Sequence, residues 1–376
     1  MPTTHADQIH AHIAQLAAAG LDAQAFTEAA LSLLARAIPF ASACMATADP
    51  ATGILTGTTK WGELRNASDT EWAQFEYQVP DVYDFRDVAS RPGLVTSLRA
   101  ETANHPERSA RFARYLRPEW GFDDELRAAL RADDGNIWGY LALYRSDGAP
   151  FSFADQRYIS SVAPQLAVGL RVGLLVATTT GASLDTPVIL VIDAEGMIKQ
   201  ASPGTAELAA EMDAGPVDGF LLPVALRSLV DAARAVRDTG HSAVPRARLR
   251  TACGRWLIAH AAPLRSGDGK DTDVVVSLDE ARPPEIIPLI VAAFGLTPRE
   301  QDVVQLVLQG LGTAQIAKAL HLSAYTVQDH LKVVFDKTGV RSRRELTSKI
   351  FFEQYAPRMG NPLSPTGWFA PRPDTR

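Results

Sequence analysis

The 376-residue sequence predicts a multidomain chain in which two α+β modules precede an all-α unit of four short helices. Length supports this first: at roughly 100–200 residues per domain, two or three domains fit, each large enough to bury a core. Periodicity comes second, because strand-like alternation and helical spacing mix up to residue 282, and only helical spacing is left over 297–355. Charge comes third. The chain carries 37 Lys+Arg against 43 Asp+Glu, a net −6, yet residues 297–355 hold 8 against 6, a net +2, and four of the seven lysines. A whole-chain sum that argues against nucleic acid thus hides a mildly basic segment. With 46% hydrophobic and 21% charged residues, the chain is too apolar for wholesale disorder.

In the first module, residues 1–176, Ile9, Ile13 and Leu16 and then Phe26, Ala30, Leu33 and Ala37 recur at helical spacing. Residues 40–47 and 54–60 read as strands joined by the turn-rich DPATG. Ser68-Asp-Thr-Glu71 is a capping box, followed by a helix face of Trp72, Phe75 and Val79. Residues 125–131 and 137–145 flank DDGN, where Asp134-Gly135 supplies the positive φ of a tight hairpin. Ile159, Val162, Leu166, Leu170 and Leu174 mark a closing helix, bent at Pro164. After the linker ATTTGASLDTP, 177–187, a second module at 188–282 opens with VILVID-AEG-MIKQA as strand–turn–strand. Helices at 203–212 and 223–238 and strands at 244–251, 255–264 and 273–279 complete it. Prolines 283, 284 and 288 punctuate a connector, 283–296, and a Pro- and Gly-rich tail, 356–376, is expected to be disordered.

Residues 297–355 are the most legible. Thr297-Pro-Arg-Glu300 sets a capping Thr, a Pro at the first helical position and a Glu at the third; Val303, Leu306, Val307 and Gly310 follow as inner face and end. Thr313 caps a short helix carrying Ile316, Ala317 and Leu320. After the turn HLS, Ser323 caps a third helix stopped by Thr338-Gly339. Ser342-Arg-Arg-Glu345 opens a fourth helix with Leu346, Ile350 and Phe351. Tight connections around a two-helix element describe a helix-turn-helix. At ~100° per residue, Val327, Leu331, Val334 and Phe335 of the third helix face inward. Tyr325, Asp329, Lys332 and Asp336 then point away, with Gln328 on the flank. Such a face suits base edges in a major groove: Gln328 with adenine, Asp329 accepting from cytosine N4, Lys332 donating to guanine or phosphate.

At these residues the chain resembles the LuxR-type DNA-binding domain of bacterial transcription factors. The resemblance rests on TPRE, Gly310, the QIAKAL core, SxxTVxxH and the Lys-x-Gly-Val-x-x-Arg run, and covers about 60 of the 376 residues. It implies DNA binding as a dimer, with part of the dimer contact from the fourth helix at Leu346 and Ile350. It implies base-facing positions at Gln328, Asp329 and Lys332 and phosphate contacts near Thr326 and Lys337. With Thr313, Lys318, Ser323, Tyr325 and Arg343, these residues are the expected DNA interface. Many members carry Lys or Arg where this chain has Gln328, which weakens phosphate attraction there. The partners implied are double-stranded promoter DNA, a second copy of the chain and RNA polymerase. Residues 26–176 further resemble a GAF domain, through FASACMATADPATGILTG, the ELRAALRADDGNIWGYLALYR hairpin and FSFADQRYISSVAPQLAVGL. Residues 188–282 resemble a PAS domain, through VILVIDAEGMIKQAS and GRWLIAHAAPL. Both folds sense ligands, and neither implies a particular one.

Outside the helical unit the sequence offers weaker candidates. Trp61, Trp72, Trp120 and Trp138 could line a pocket for an apolar small molecule; core packing is the plainer reading. Cys44 lies in an apolar strand and reads as a buried, inert thiol. His5, His10 and His12 lack partners at ligand spacing, and GDGKDTD lacks the terminal Glu of a calcium loop, so no metal site and no cofactor are expected. Arg246, Arg248 and Arg250 share a strand face, either to grip an anion or simply solvated. There is no phosphate-binding G-x-x-x-x-G-K-S/T loop, G-x-S-x-G elbow, H-E-x-x-H or dinucleotide fingerprint; no catalytic residue is assigned and no enzyme is expected. Two cysteines cannot frame a disulfide core, the N-terminus reads as no secretory signal, and Arg171 interrupts the longest apolar run. These expectations describe a cytoplasmic regulator, with no membrane partner, whose N-terminal modules control a dimeric DNA reader. The contrasting expectation is a protein–protein signalling scaffold that uses the helical unit to dimerise.

Overall fold

The computed structural model describes residues 5–67, 69–176, 187–212, 222–239, 245–251, 254–265 and 272–350. Ser68, linker residues 177–186, Val244, Cys253, most of the GDGKDTD loop, Phe351 and the tail 356–376 lie outside the described residues.

The first module begins with helices α1 (His5–Ala17) and α2 (Ala23–Ala37), the latter capped where Asp22 Oδ1 accepts from Ala25 N at 2.9 Å. Strands β1 (Ser42–Ala48) and β2 (Leu55–Gly62) follow, then α3 (Asp69–Tyr77), α4 (Phe85–Ser90), β3 (Val95–Ser97), α5 (Leu98–Glu101) and α6 (Arg117–Trp120). The hairpin β4 (Asp124–Arg131) and β5 (Ile137–Arg145) turns on Gly135, φ +82°, and α7 (Phe153–Val176) closes the module in one continuous helix containing Pro164. The strands form an antiparallel sheet ordered β2-β1-β5-β4-β3, with Cys44 opposite Ala142 and Leu141 opposite Ala128.

The strand period of two sorts the side chains onto opposite faces. Leu126, Ala128, Leu130, Leu141 and Leu143 join Met45 against α1, α2 and α7. Tyr140, Ala142 and Tyr144 turn to the other face, toward Trp72, Tyr83, Phe85 and Phe122. That second face also buries ions. Arg111 Nη2 meets Glu125 Oε2 at 2.8 Å, Arg127 Nη1 meets Glu76 Oε2 at 2.6 Å, and Arg127 lies over the Phe85 ring. Burial pushes the Glu125 carboxyl up, but Arg111 and Arg127 outweigh it and hold it at about 2. Among the described residues α7 alone is long and apolar enough to cross a bilayer; half of its apolar stretch is buried as core.

The second module comprises β6 (Val188–Ile192), β7 (Ile198–Ala201), α8 (Thr205–Glu211), α9 (Val224–Thr239), β8 (Arg246–Arg250), β9 (Trp256–Pro263) and β10 (Val274–Glu280). Its order, β7-β6-β10-β9-β8, repeats that of the first sheet strand for strand. Val188, Leu190, Leu257, Ala259, Val274 and Val276 pack beneath α9. Trp256 and Ile258 face the other way and enter the core of the first module.

The structure adds to two expectations here. The connector 283–296 is largely a helix, α10 (Pro283–Ala293): its first prolines sit at the N-terminus, where no intrahelical N–H is required, and Ile286, Leu289, Ile290 and Ala293 recur at helical spacing. The arginine face of β8 is not merely solvated. Arg248 grips Asp49 of the first module, Nη2 to Oδ1 at 2.6 Å and Nε to Oδ2 at 2.9 Å, and Arg250 lies over the Trp256 ring. Burial lowers Arg250 to about 10. The remaining helices are α11 (Pro298–Leu308), α12 (Thr313–Leu320), α13 (Ala324–Thr338) and α14 (Arg343–Ser348).

Candidate nucleic-acid interface

The four C-terminal helices surround one small core of Val303, Val304, Val307, Ile316, Val327, Leu331 and Val334. Three of the four expected caps form, at Thr297, Ser323 and Ser342. Thr297 Oγ1 accepts from Glu300 N at 3.4 Å while Glu300 Oε2 accepts from Thr297 N at 2.9 Å. Ser323 Oγ accepts from Thr326 N at 3.0 Å, and Ser342 Oγ from Glu345 N at 3.2 Å. Each such cap contributes ~1 kcal/mol, which matters for helices this short. The turn before α13 runs through His321 at φ +54°, a left-handed residue that ends α12 and lets Leu322 N donate to Ala317 O. Ala317, 8% exposed, is small enough for the close crossing of α12 and α13.

With Val327, Leu331 and Val334 buried, α13 presents Tyr325, Gln328, Asp329 and Lys332 on its exposed side. Tyr325 is 76% exposed. Lys318 is also exposed, on α12. The Thr326 hydroxyl shares a 2.8 Å hydrogen bond with Ser323 Oγ at the amino end of the same helix.

Thr313 differs from expectation. Gly312 is the capping position, its N–H donating to Gln315 Oε1 at 2.8 Å, so Thr313 is the first helical residue and its hydroxyl serves elsewhere. Thr313 Oγ1 accepts from Gln328 Nε2 at 3.2 Å and from Arg343 Nη2 at 2.8 Å, while Arg343 Nη1 donates to Leu311 O at 2.9 Å. One hydroxyl thus ties α12, α13 and α14 together, and Arg343 braces α13 through it.

Three other site residues are engaged within the domain. Lys337 Nζ donates to Glu300 Oε2 at 2.7 Å and to Gly295 O at 3.2 Å, so its charge is engaged within the chain. Burial raises the Glu300 carboxyl, but Lys337 and the hydrogen bonds from Thr297 outweigh it, and Glu300 sits below its ordinary range. Leu346 and Ile350, expected at a dimer contact, are 0% and 1% exposed in the core: the apolar face of α14 is needed to close the domain and has no surface left for a partner.

The four tryptophans do not line one pocket. Trp138 is in the core on the α7 face and Trp61 packs against that core, whereas Trp72 and Trp120 belong to the opposite face. A five-stranded sheet separates the pairs.

Two features of the site carry no strong local signal. Val291 of α10 and Leu296 belong to the core of the helical domain, while Ile286, Leu289 and Ile290 belong to that of the first module. Arg171 of α7 joins the same junction: it pairs with Asp133 at 2.7 Å and lies against Gly295, whose φ is +67°.

Residues 295–350 match the family described as bacterial regulatory proteins, luxR family, and form a helix-turn-helix domain of that family. An HTH-type transcriptional regulator of Mycobacterium bovis is 32% identical over 258 residues, covering 64% of this chain and 28% of the relative. A response regulator of Synechocystis is 48% identical over 50 residues, 13% of this chain and 22% of the relative. The chain thus spans less than a third of the mycobacterial relative's length. Among solved structures, the LuxR-type receptor VqmA of Vibrio cholerae shares 19% identity over 44% of this chain and 82% of its own, with a TM-score of 0.23.

Proposed function

We propose that the chain is a cytoplasmic transcription regulator. Its luxR-family domain reads promoter DNA in the major groove, and the two α+β modules, GAF-like and then PAS-like, control that reading. The observation that carries this is the exposed Tyr325–Gln328–Asp329–Lys332 face of α13, held by a buried core and by the Thr313 hydrogen bonds. Donors and acceptors on the exposed side of a capped helix are what base-edge recognition requires. The net charge of +2 over residues 297–355 neutralises few phosphates, so binding as a homodimer supplies the missing affinity. Because Leu346 and Ile350 are buried, that dimer forms through other, exposed residues. RNA polymerase is the further partner of such a regulator, and no catalytic step is assigned.

The test is mobility shift of the full chain with selected genomic fragments across a salt series. The expected result is sequence-specific binding that weakens with salt, on pseudo-palindromic sites with half-sites about one helical turn, ~34 Å, apart. Absence of any salt-sensitive shift by a dimeric preparation overturns the reading and leaves the signalling-scaffold alternative.

A further inference from the structure

Where the first module meets the second, the β1–β2 turn, the end of α3, α4 and the β4–β5 turn surround a cavity of about 330 Å³, and Ala232 of α9 contributes to its wall. Its size is that of a small-molecule site, and its walls mix apolar groups such as Ile54, Leu55 and Ile137 with polar ones, two carboxylates and two arginines among them. None of the four tryptophans reaches it.

The charges around the cavity are unequal in what they have left to offer. Glu76 is fully engaged: Oε1 accepts from Phe85 N at 2.7 Å and Oε2 from Arg127 Nη1 at 2.6 Å. Asp84 uses Oδ1 to cap α4, accepting from Asp87 N at 2.7 Å. The two arginines are less committed. Arg131 donates from Nη2 to Ala89 O at 3.0 Å, yet its Nε is buried with no hydrogen-bond partner. Arg86 makes no hydrogen bond or ion pair among the described residues, and its charge acts on the Tyr140 hydroxyl at the cavity. Phe85 and Tyr140, with ring centroids 4.8 Å apart, supply an aromatic wall. Arg131 Nη1 and the Arg86 guanidinium, neither with a hydrogen bond among the described residues, stand beside aromatic rings and suit an anionic group on a flat apolar body.

We propose that this cavity is an effector site for a small aromatic carboxylate, its carboxylate taken by Arg131 and Arg86 and its ring packed on Phe85 and Tyr140. An occupant touches both modules at once, because α9 lines the cavity and is tied to α3 through the Gln78–Asp231 hydrogen bond. That occupancy alters DNA binding rests on the regulatory reading above; that the site binds the acid does not.

The experiment is thermal unfolding of the full chain with benzoate, phenylacetate, 4-hydroxyphenylacetate and indole-3-acetate, each at about 5 mM, beside benzyl alcohol and benzylamine. At least one acid is expected to raise Tm by about 2 °C or more while the alcohol and the amine do not. Arg131→Gln and the exposed Arg86→Gln are each expected to weaken that acid by about tenfold, with unliganded Arg86→Gln melting as the parent does. No response to any acid, an equal response to the amine, or undiminished binding in both variants overturns the proposal. Mobility shifts with and without the effective acid then separate the two claims. Binding without a change in DNA affinity upholds the site and overturns its regulatory role.

Discussion

Asp329 and Lys332 stand one turn apart on the exposed side of α13 with opposite charge, so removing each separates base reading from phosphate attraction. Asp329→Ala is expected to change sequence preference while leaving the salt dependence of binding intact. Lys332→Ala is expected to cost about 1–3 kcal/mol at one base position, or to weaken all sequences and flatten the salt slope by about one unit. Selection of binding sites from random DNA, followed by salt titration, distinguishes them; equal and small effects mean that another face reads the groove. Thr313→Val probes the positioning behind that face. The methyl group keeps the volume but leaves Gln328 Nε2 and Arg343 Nη2 without their shared acceptor. DNA affinity is expected to fall several-fold with a stability loss of about 1 kcal/mol, read by mobility shift and denaturant unfolding. The capping Thr, Pro and Ser residues of this domain are legible from sequence because cap chemistry is local, acting over three residues. Thr313 is not, because its partners lie 15 and 30 positions away.

At the scale of elements, helices and strands with a clear period stand close to where the sequence places them, the β4–β5 hairpin and its Asp134-Gly135 turn among them. What the pattern does not reveal is how elements meet. The grip of Arg248 on Asp49 spans 199 positions, and alternation alone says only that the arginine shares a face with its neighbours. The α3–α9 joint is a second case. Asp231 is 1% exposed, accepts from Gln78 through Oδ1 and leaves Oδ2 without a hydrogen bond, with Arg227 and Arg234 nearby on its own helix. Burial raises its carboxyl to about 6, against the weaker downward pull of Gln78 and the arginines. The unfolded value is about 3.9, so the folded state holds the proton more tightly and ionisation opposes folding. That cost is absent below about pH 4, grows between the two values and is complete above about pH 6, at about 2–3 kcal/mol. Asp231→Asn is therefore expected to raise Tm at pH 7.5 and to leave it unchanged near pH 4. Glu125 and Asp49, with lowered values, act in the opposite direction and lose their contribution as pH falls toward and below about 4, so the variant must be compared with the parent at each pH. A constant difference across pH 4–7.5 rejects Asp231 as the responsible group.

At the scale of the molecule, the three units are coupled by shared cores. Trp256 and Ile258 of the second sheet and Ile286, Leu289 and Ile290 of α10 lie in one cluster with Phe26, Leu141 and Leu166 of the first module. The same α10 sends Val291 into the core of the helix-turn-helix domain. A domain boundary is visible in sequence as a change in composition, but a core that crosses it is not, since each apolar residue satisfies the period of its own element. Such sharing has a thermodynamic consequence: neither module can lose its packing without exposing apolar surface of the other. Calorimetry of the full chain is expected to show the two α+β modules melting in one transition. Trp256→Ala should lower that whole transition, because truncating a buried Trp costs about 3–5 kcal/mol in lost burial and residual cavity. Two resolved transitions, of which only one moves in the variant, would show that the modules unfold independently. In that event α10 would be a tether, and a change in the α+β modules would have no rigid route to the Tyr325–Lys332 face.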